Sequence, residues 1–113
     1  MMIYCAHEYG GNEDNKLEIE QKIRTLQSND MENCYVSPVH TFCFQYFDYD
    51  YGTGMELCID LLSVCDVLLV MSKASKGVLR EIEFAELVGM PIWYLDINEW
   101  EDGMVVVVDG LQR

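Results

Sequence analysis

Apolar residues along this chain come in two kinds of pattern. Short, mostly apolar runs occupy residues 2–6 (M-I-Y-C-A), 34–37 (C-Y-V-S), 67–71 (V-L-L-V-M) and 90–95 (M-P-I-W-Y-L, with Pro91 at its edge or start), with a last one at 104–108. Runs of this length are too short for core helices and read as strands buried on both faces, the habit of parallel sheets. Between them the spacing becomes helical. Leu17, Ile19, Ile23 and Leu26 form one face of a helix over residues 13–28, with Asn12 placed to cap it. Thr53 and Glu56 match a capping box, which predicts a helix over 53–65 that is apolar nearly all round. Val78, Ile82, Ala85 and Val88 predict a third helix, entered after Gly77 and closed by Gly89.

The order strand-helix-strand-helix-strand-helix-strand, with a further strand at 104–108, predicts a single α/β domain over 1–113. Its architecture is a three-layer α/β/α sandwich around an open, mostly parallel sheet of four to five strands, in a Rossmann/flavodoxin-like arrangement. The loops at 7–12, 38–52 and 72–77 then all leave carboxyl ends of strands and converge on one edge. That convergence gathers Tyr4, His7, His40, Ser75 and Glu81 around one crevice. Segment 38–52 holds six of the chain's thirteen aromatic residues and reads mainly as loop. It suits a lid or a stacking surface, and equally a cover for the core or for an interface.

Glu81 stands out within this pattern. Its helical neighbours are Gly77, Val78, Phe84 and Ala85, so its carboxylate leaves the apolar side of the third helix, whereas Glu83 and Glu86 point elsewhere. A carboxylate buried without a partner costs several kcal/mol or takes up a proton, so Glu81 requires a partner, solvent or a chemical task.

Composition narrows the function classes. At 113 residues the chain suffices for one domain, and no apolar run approaches the roughly 20 residues of a membrane span. The N-terminal residues lack the basic and long apolar regions of a secretory signal. Five cysteines in no C-x-x-C pair and two isolated histidines predict reduced cytosolic thiols and no metal centre. A formal net charge of −13 argues against duplex nucleic acid as a partner. Three of the seven basic residues, Lys73, Lys76 and Arg80, nevertheless cluster around the start of the third helix, where a small anionic ligand or plain solvation would account for them. The apolar surface of helix 53–65 exceeds what one small sheet covers, which predicts a homodimer or a dimer-based oligomer, with Met55, Ile59 and Leu62 among the buried residues.

Several motifs in order carry a resemblance. Tyr4-Cys5-Ala6, the Cys65-Asp66 pair opening a strand, S-x-G-V-x-x-E-x-x-x-A at 75–85 and G-x-P-I at 89–92 resemble the nucleoside 2-deoxyribosyltransferase-like family, which includes 2'-deoxynucleoside 5'-phosphate N-hydrolases. A branch of short bacterial and phage proteins is similar at residues 4–11, 37–40 and 54–58. The resemblance runs nearly to Leu95 and implies a glycosidic-bond enzyme with a deoxynucleoside or deoxynucleotide substrate and no cofactor. It implies Glu81 as the nucleophile on C1' of the sugar, Asp66 as the residue that contacts or protonates the base, and Tyr4 as the residue that orients the nucleophile. Ser75 takes the place of a sugar- or phosphate-side residue. Ala6, His7, Gly10, His40, Lys76 and Gly77 fall in the corresponding substrate-binding segments. Where the transferases have Ala-Gly-Pro this chain has Ala6-His7-Glu8, and Glu8 brings negative charge to the phosphate end. The alternative function is a non-catalytic module that binds a nucleotide in the same crevice.

Overall fold

The computed structural model describes residues 1–42, 50–96 and 106–109. The central strand, β3 (Val67–Val70), is the short unbroken run with every residue buried. It lies between β1 (Met2–Ala6) and β4 (Ile92–Asp96), parallel to both, with Tyr4 beside Leu68 and Ala6 beside Val70. β2 (Cys34–Val36) extends the sheet beyond β1, and β5 (Val106–Asp109) adds an antiparallel edge beyond β4, giving the order β2-β1-β3-β4-β5. Four strands are parallel, as the patterning predicts, and the fifth turns back.

Strand alternation assigns the two faces. Tyr4, Ala6, Leu68 and Val70 project into one apolar layer with Leu62, Val78, Ile82 and Ala85 of the helices α3 (Tyr51–Ser63) and α4 (Lys76–Val88). Ile3, Cys5, Val67, Leu69 and Met71 project the other way, against Ile19 and Leu26 of α1 (Glu13–Asn29) and Val39 of the short α2 (Pro38–Phe42). The connection from β1 to β2 runs one way along the sheet, and those from β2 to β3 to β4 run back. Right-handed crossovers therefore put α1 and the pair α3/α4 on opposite faces. The chain reverses between β1 and β3, the position where such sheets open a crevice at their carboxyl edge.

Local chemistry moves several boundaries. α3 begins at Tyr51, not Thr53, because the Asp50 carboxylate accepts from both the Thr53 N–H (2.8 Å) and the Thr53 hydroxyl (3.0 Å). Asp50 is the cap, and Thr53 is its donor one turn in. Residues 38–42, read as loop, form α2, with Pro38 in the first turn, where its missing N–H costs nothing, and Ser37 accepting from His40 N–H. The aromatic lid expected at 38–52 lies otherwise largely at 43–49, outside the described residues. α4 starts at Lys76, one residue before Gly77, because the Ser75 hydroxyl accepts from Val78 N–H. It ends where Gly89 adopts φ 74°, left-handed backbone that glycine takes without strain. On α1, Leu17 is exposed while Lys22 points inward. On α3, Met55 and Leu62 are buried as predicted, but Ile59 is only partly so.

The capping assignment has a measurable consequence. Asp50→Ala removes an acceptor from the first turn of α3 and should cost about 1 kcal/mol of unfolding free energy. Thr53→Ala keeps the backbone donor and should cost less than half as much, as read from urea unfolding midpoints at constant slope. Equal losses, or a larger loss for Thr53→Ala, would return the cap to Thr53.

Candidate functional site

The carboxyl edge of the sheet opens into a crevice of about 660 Å³, a size suited to a small molecule. Its walls come from the loop after β1 (His7 to Gly10), the first turns of α1 and α3, and the first turn of α4 (Ser75 to Val78), with Glu81 at depth. The loop after β1 can turn sharply because Gly10 and Gly11 both take positive φ, 59° and 76°, which lets Asn12 N–H reach the Tyr9 carbonyl at 3.0 Å and start α1.

Glu81 is 5% exposed, and the Tyr4 hydroxyl donates a hydrogen bond to its Oε2. Tyr4 is fully buried in the middle of β1, so its ring rises from the sheet and its hydroxyl meets Glu81 from below. Burial raises the Glu81 pKa from 4.5 to about 7, partly offset by the Tyr4 hydrogen bond. The Tyr4 phenol is pushed well above its ordinary value by burial and then by the neighbouring carboxylate, so it remains the donor. Cys58 of α3 faces the same pair, and burial together with Glu81 pushes its thiol up to about 11. Glu81 is thus a carboxyl group poised near neutrality at the floor of an open crevice.

A second buried polar cluster backs the opposite wall. His7 Nδ1 lies 2.7 Å from the Glu8 carbonyl oxygen, and His7 Nε2 lies 2.9 Å from Lys22 Nζ. Lys22 also donates to the Met71 carbonyl (2.9 Å) and lies 3.5 Å from Glu18, whose carboxylate is 2.9 Å from His7 Nε2. Burial holds the pKa values of both His7 and Lys22 below their ordinary values. Lys22 therefore ties α1 to the ends of β1 and β3. Nothing in the helical pattern marks it as different from the exposed charges of α1, and sequence reasoning missed it. Cys58, on a helix that reads as apolar nearly all round, was likewise not marked by the sequence as a wall residue.

The crevice brings together His7, Gly10, Ser75, Lys76, Gly77 and Glu81 of the residues singled out from the sequence, with Tyr4 beneath them. Three others fall elsewhere. Asp66 opens β3 at the amino edge of the sheet, where its carboxylate accepts from Met2 N–H at 2.7 Å. The four residues of β3, roughly 13 Å, separate it from the carboxyl edge, so its side chain does not reach the crevice. His40 lines a separate shallow groove with Tyr35 and Ile23, its Nδ1 2.7 Å from the Ser37 hydroxyl, because α2 turns it toward α1. Ala6 is 1% exposed, its methyl packed in the core layer below the crevice. Among the described residues no group of three or more His, Cys, Asp or Glu is arranged to hold a metal, and no helix is long and apolar enough to cross a membrane. Cys5, Cys34, Cys58 and Cys65 are free thiols.

Comparison with solved structures finds a 2-desoxiribosyltransferase from Leishmania mexicana that superposes with a TM-score of 0.62 at 18% identity. The chain shares that enzyme's fold. The match covers 82% of this chain and 62% of the other, so the chain spans less than two thirds of that structure's length. No protein-family model and no curated protein matches the chain.

The buried carboxyl group has a thermodynamic signature. With a folded pKa of about 7 against 4.5, the folded chain binds the Glu81 proton more tightly than the unfolded chain does. Glu81 therefore favours the fold most below pH 4.5 and loses that contribution as pH rises through about 7. Glu81→Gln does not titrate, so its stability relative to the parent should rise across that window, by roughly 3 kcal/mol at most. Urea unfolding of both proteins at pH 5 and pH 8 measures this, and a constant difference would place Glu81 in solvent.

Proposed function

We propose that the chain cleaves the N-glycosidic bond of a 2'-deoxynucleoside or its 5'-monophosphate, with Glu81 as the nucleophile. The observation that carries this reading is the burial of Glu81 at the crevice floor, oriented by Tyr4 and ionising near neutral pH. The shared fold with a 2-desoxiribosyltransferase supports it. In the first step the Glu81 carboxylate attacks C1'. The C1'–O bond forms as the C1'–N bond breaks, and the base leaves with the bonding electron pair and gains a proton from solvent. In the second step water, or the nitrogen of another base, attacks C1' and restores the carboxylate. The missing 2'-hydroxyl eases charge development at C1', so positioning and a low-dielectric floor do much of the work. Tyr4 holds Oε2, leaving the other carboxylate oxygen to attack.

Pairing of two copies through the α3/α4 layer belongs to the same proposal. Val64, Leu79, Leu87 and Val88 are exposed apolar side chains on these two helices. The free thiols are in keeping with a cytosolic setting.

Release of free base, followed by chromatography, tests the reaction. Glu81→Gln should lower base release at least about a thousandfold, more than 4 kcal/mol of transition-state stabilisation, while Glu83→Gln, on the exposed side of α4, leaves it within about twofold. Full activity in Glu81→Gln would remove the glycosyl-enzyme mechanism. Light scattering at micromolar concentration should give twice the 13.1 kDa chain mass or a multiple of it, and a 13.1 kDa particle would remove the dimer.

A further inference from the structure

The charge lining the crevice bears on which substrates it admits. Carboxylates of Glu8, Asp50 and Glu81 line it, and Lys76 is the single basic side chain that does so among the described residues. Of the other described cations, Lys16 is half-buried on α1 and does not line the crevice. Lys22 is buried behind His7, shared among Met71, His7 and Glu18, and also attracts the Glu8 carboxylate. Arg24 is exposed and paired with Glu20, while Lys73 and Arg80 are exposed off the crevice wall. Arg113 is the one Lys or Arg that lies outside the described residues.

Helix ends do not reverse this balance. The three long helices direct amino termini toward the crevice, beside the start of the five-residue α2 at Pro38 and Val39, and each long-helix end carries about half a positive charge. The α1 end is countered by Glu13 and Asp14 in its first turn, and the α3 end by its Asp50 cap. The α4 end remains, together with Lys76, whose ammonium rests 5.1 Å above the Tyr51 ring. With Asp50 already set against the α3 end, one ammonium and one half-charge stand against the carboxylates of Glu8 and Glu81 once Glu81 is ionised for attack. Glu8 is fixed in this wall by its main chain: its N–H donates to the Ser72 hydroxyl at 2.9 Å and its carbonyl oxygen accepts from His7. A phosphate dianion entering here meets net repulsion, whereas a sugar hydroxyl can donate to a carboxylate.

We infer that the crevice takes uncharged 2'-deoxynucleosides and rejects their 5'-phosphates, with Glu8 as the residue that sets the discrimination. This rests on the base-releasing reading above and narrows its substrate class. The test compares 2'-deoxyadenosine with 2'-deoxyadenosine 5'-monophosphate, and the corresponding pairs of the other three bases, at low ionic strength and pH 8. Whichever base is accepted, kcat/KM for the nucleoside should exceed that for the monophosphate at least tenfold. Glu8→Gln should narrow the ratio at least threefold, and 0.3 M salt should narrow it by screening, since the Debye length at that strength falls to about 6 Å. A ratio of one or below, or a ratio that Glu8→Gln leaves unmoved, overturns the inference. If neither compound releases base, the catalytic reading fails while this one is still decided, by calorimetric titration of the same pairs: tighter binding of the nucleoside supports it, and equal or tighter binding of the monophosphate overturns it.

Discussion

A carboxylic acid in an apolar layer is tolerated only when something offsets the cost of its charge, and here that is the Tyr4 hydroxyl. The rest of the site depends on this contact. It joins the centre of β1 to the second turn of α4, so the floor of the crevice is fixed by the sheet itself, not by a loop. Any sliding of α4 along the sheet would separate Glu81 from its donor and leave a buried acceptor unpaired, a loss of about 1–3 kcal/mol. The same requirement fixes where α4 begins. Ser75 caps the helix two residues ahead of Gly77, and that cap sets the turn on which Glu81 faces inward.

The sequence revealed what depends on local periodicity. Strand runs and helical spacing located β1, β3, α1 and α4 to within a residue or two, and the same spacing separated buried Glu81 from exposed Glu83 and Glu86. It failed where an interaction crosses elements. Lys22 has the sequence neighbourhood of a solvated helix charge, and only the packing of α1 against the ends of β1 and β3 supplies the acceptors that draw it inward. Cys58 looked like filler on an all-apolar helix until α3 was set beside Tyr4 and Glu81. Asp66 shows the opposite error. Its motif position suggested chemistry, but a residue that opens a parallel strand lies at the far edge of the sheet from the crevice. The capping box at Thr53 was misplaced by three residues because Asp50, an equally good cap, precedes it.

The two buried polar clusters support the crevice in different ways. Tyr4 and Glu81 lie within the α3/α4 layer, whereas His7, Lys22 and Glu18 lie between α1 and the sheet edge. The second cluster fastens the ends of the two strands whose divergence makes the opening, since Lys22 bonds both His7 after β1 and Met71 after β3. Burying an ammonium there is costly, and its partners recover much of that cost only in this one geometry, a property suited to holding a mouth of fixed width. A hydrophobic residue in its place would pack, but it would leave the Met71 carbonyl without that donor.

The floor and the wall place opposite demands on charge. A nucleophilic carboxylate gains reactivity as its pKa rises, because a more basic oxygen is the better electron donor, but it is ionised less often at a given pH. Burial alone would push Glu81 too far, and the Tyr4 hydrogen bond draws it back to about 7, where both quantities are appreciable. The neighbouring carboxylates of Glu8 and Asp50 add negative potential at the mouth, which disfavours a further negative charge in the same space. A wall cation strong enough to seat a phosphate dianion would lower the Glu81 pKa and weaken its oxygen as a nucleophile. An acidic wall is therefore consistent with the proposed role of Glu81 as a basic nucleophile.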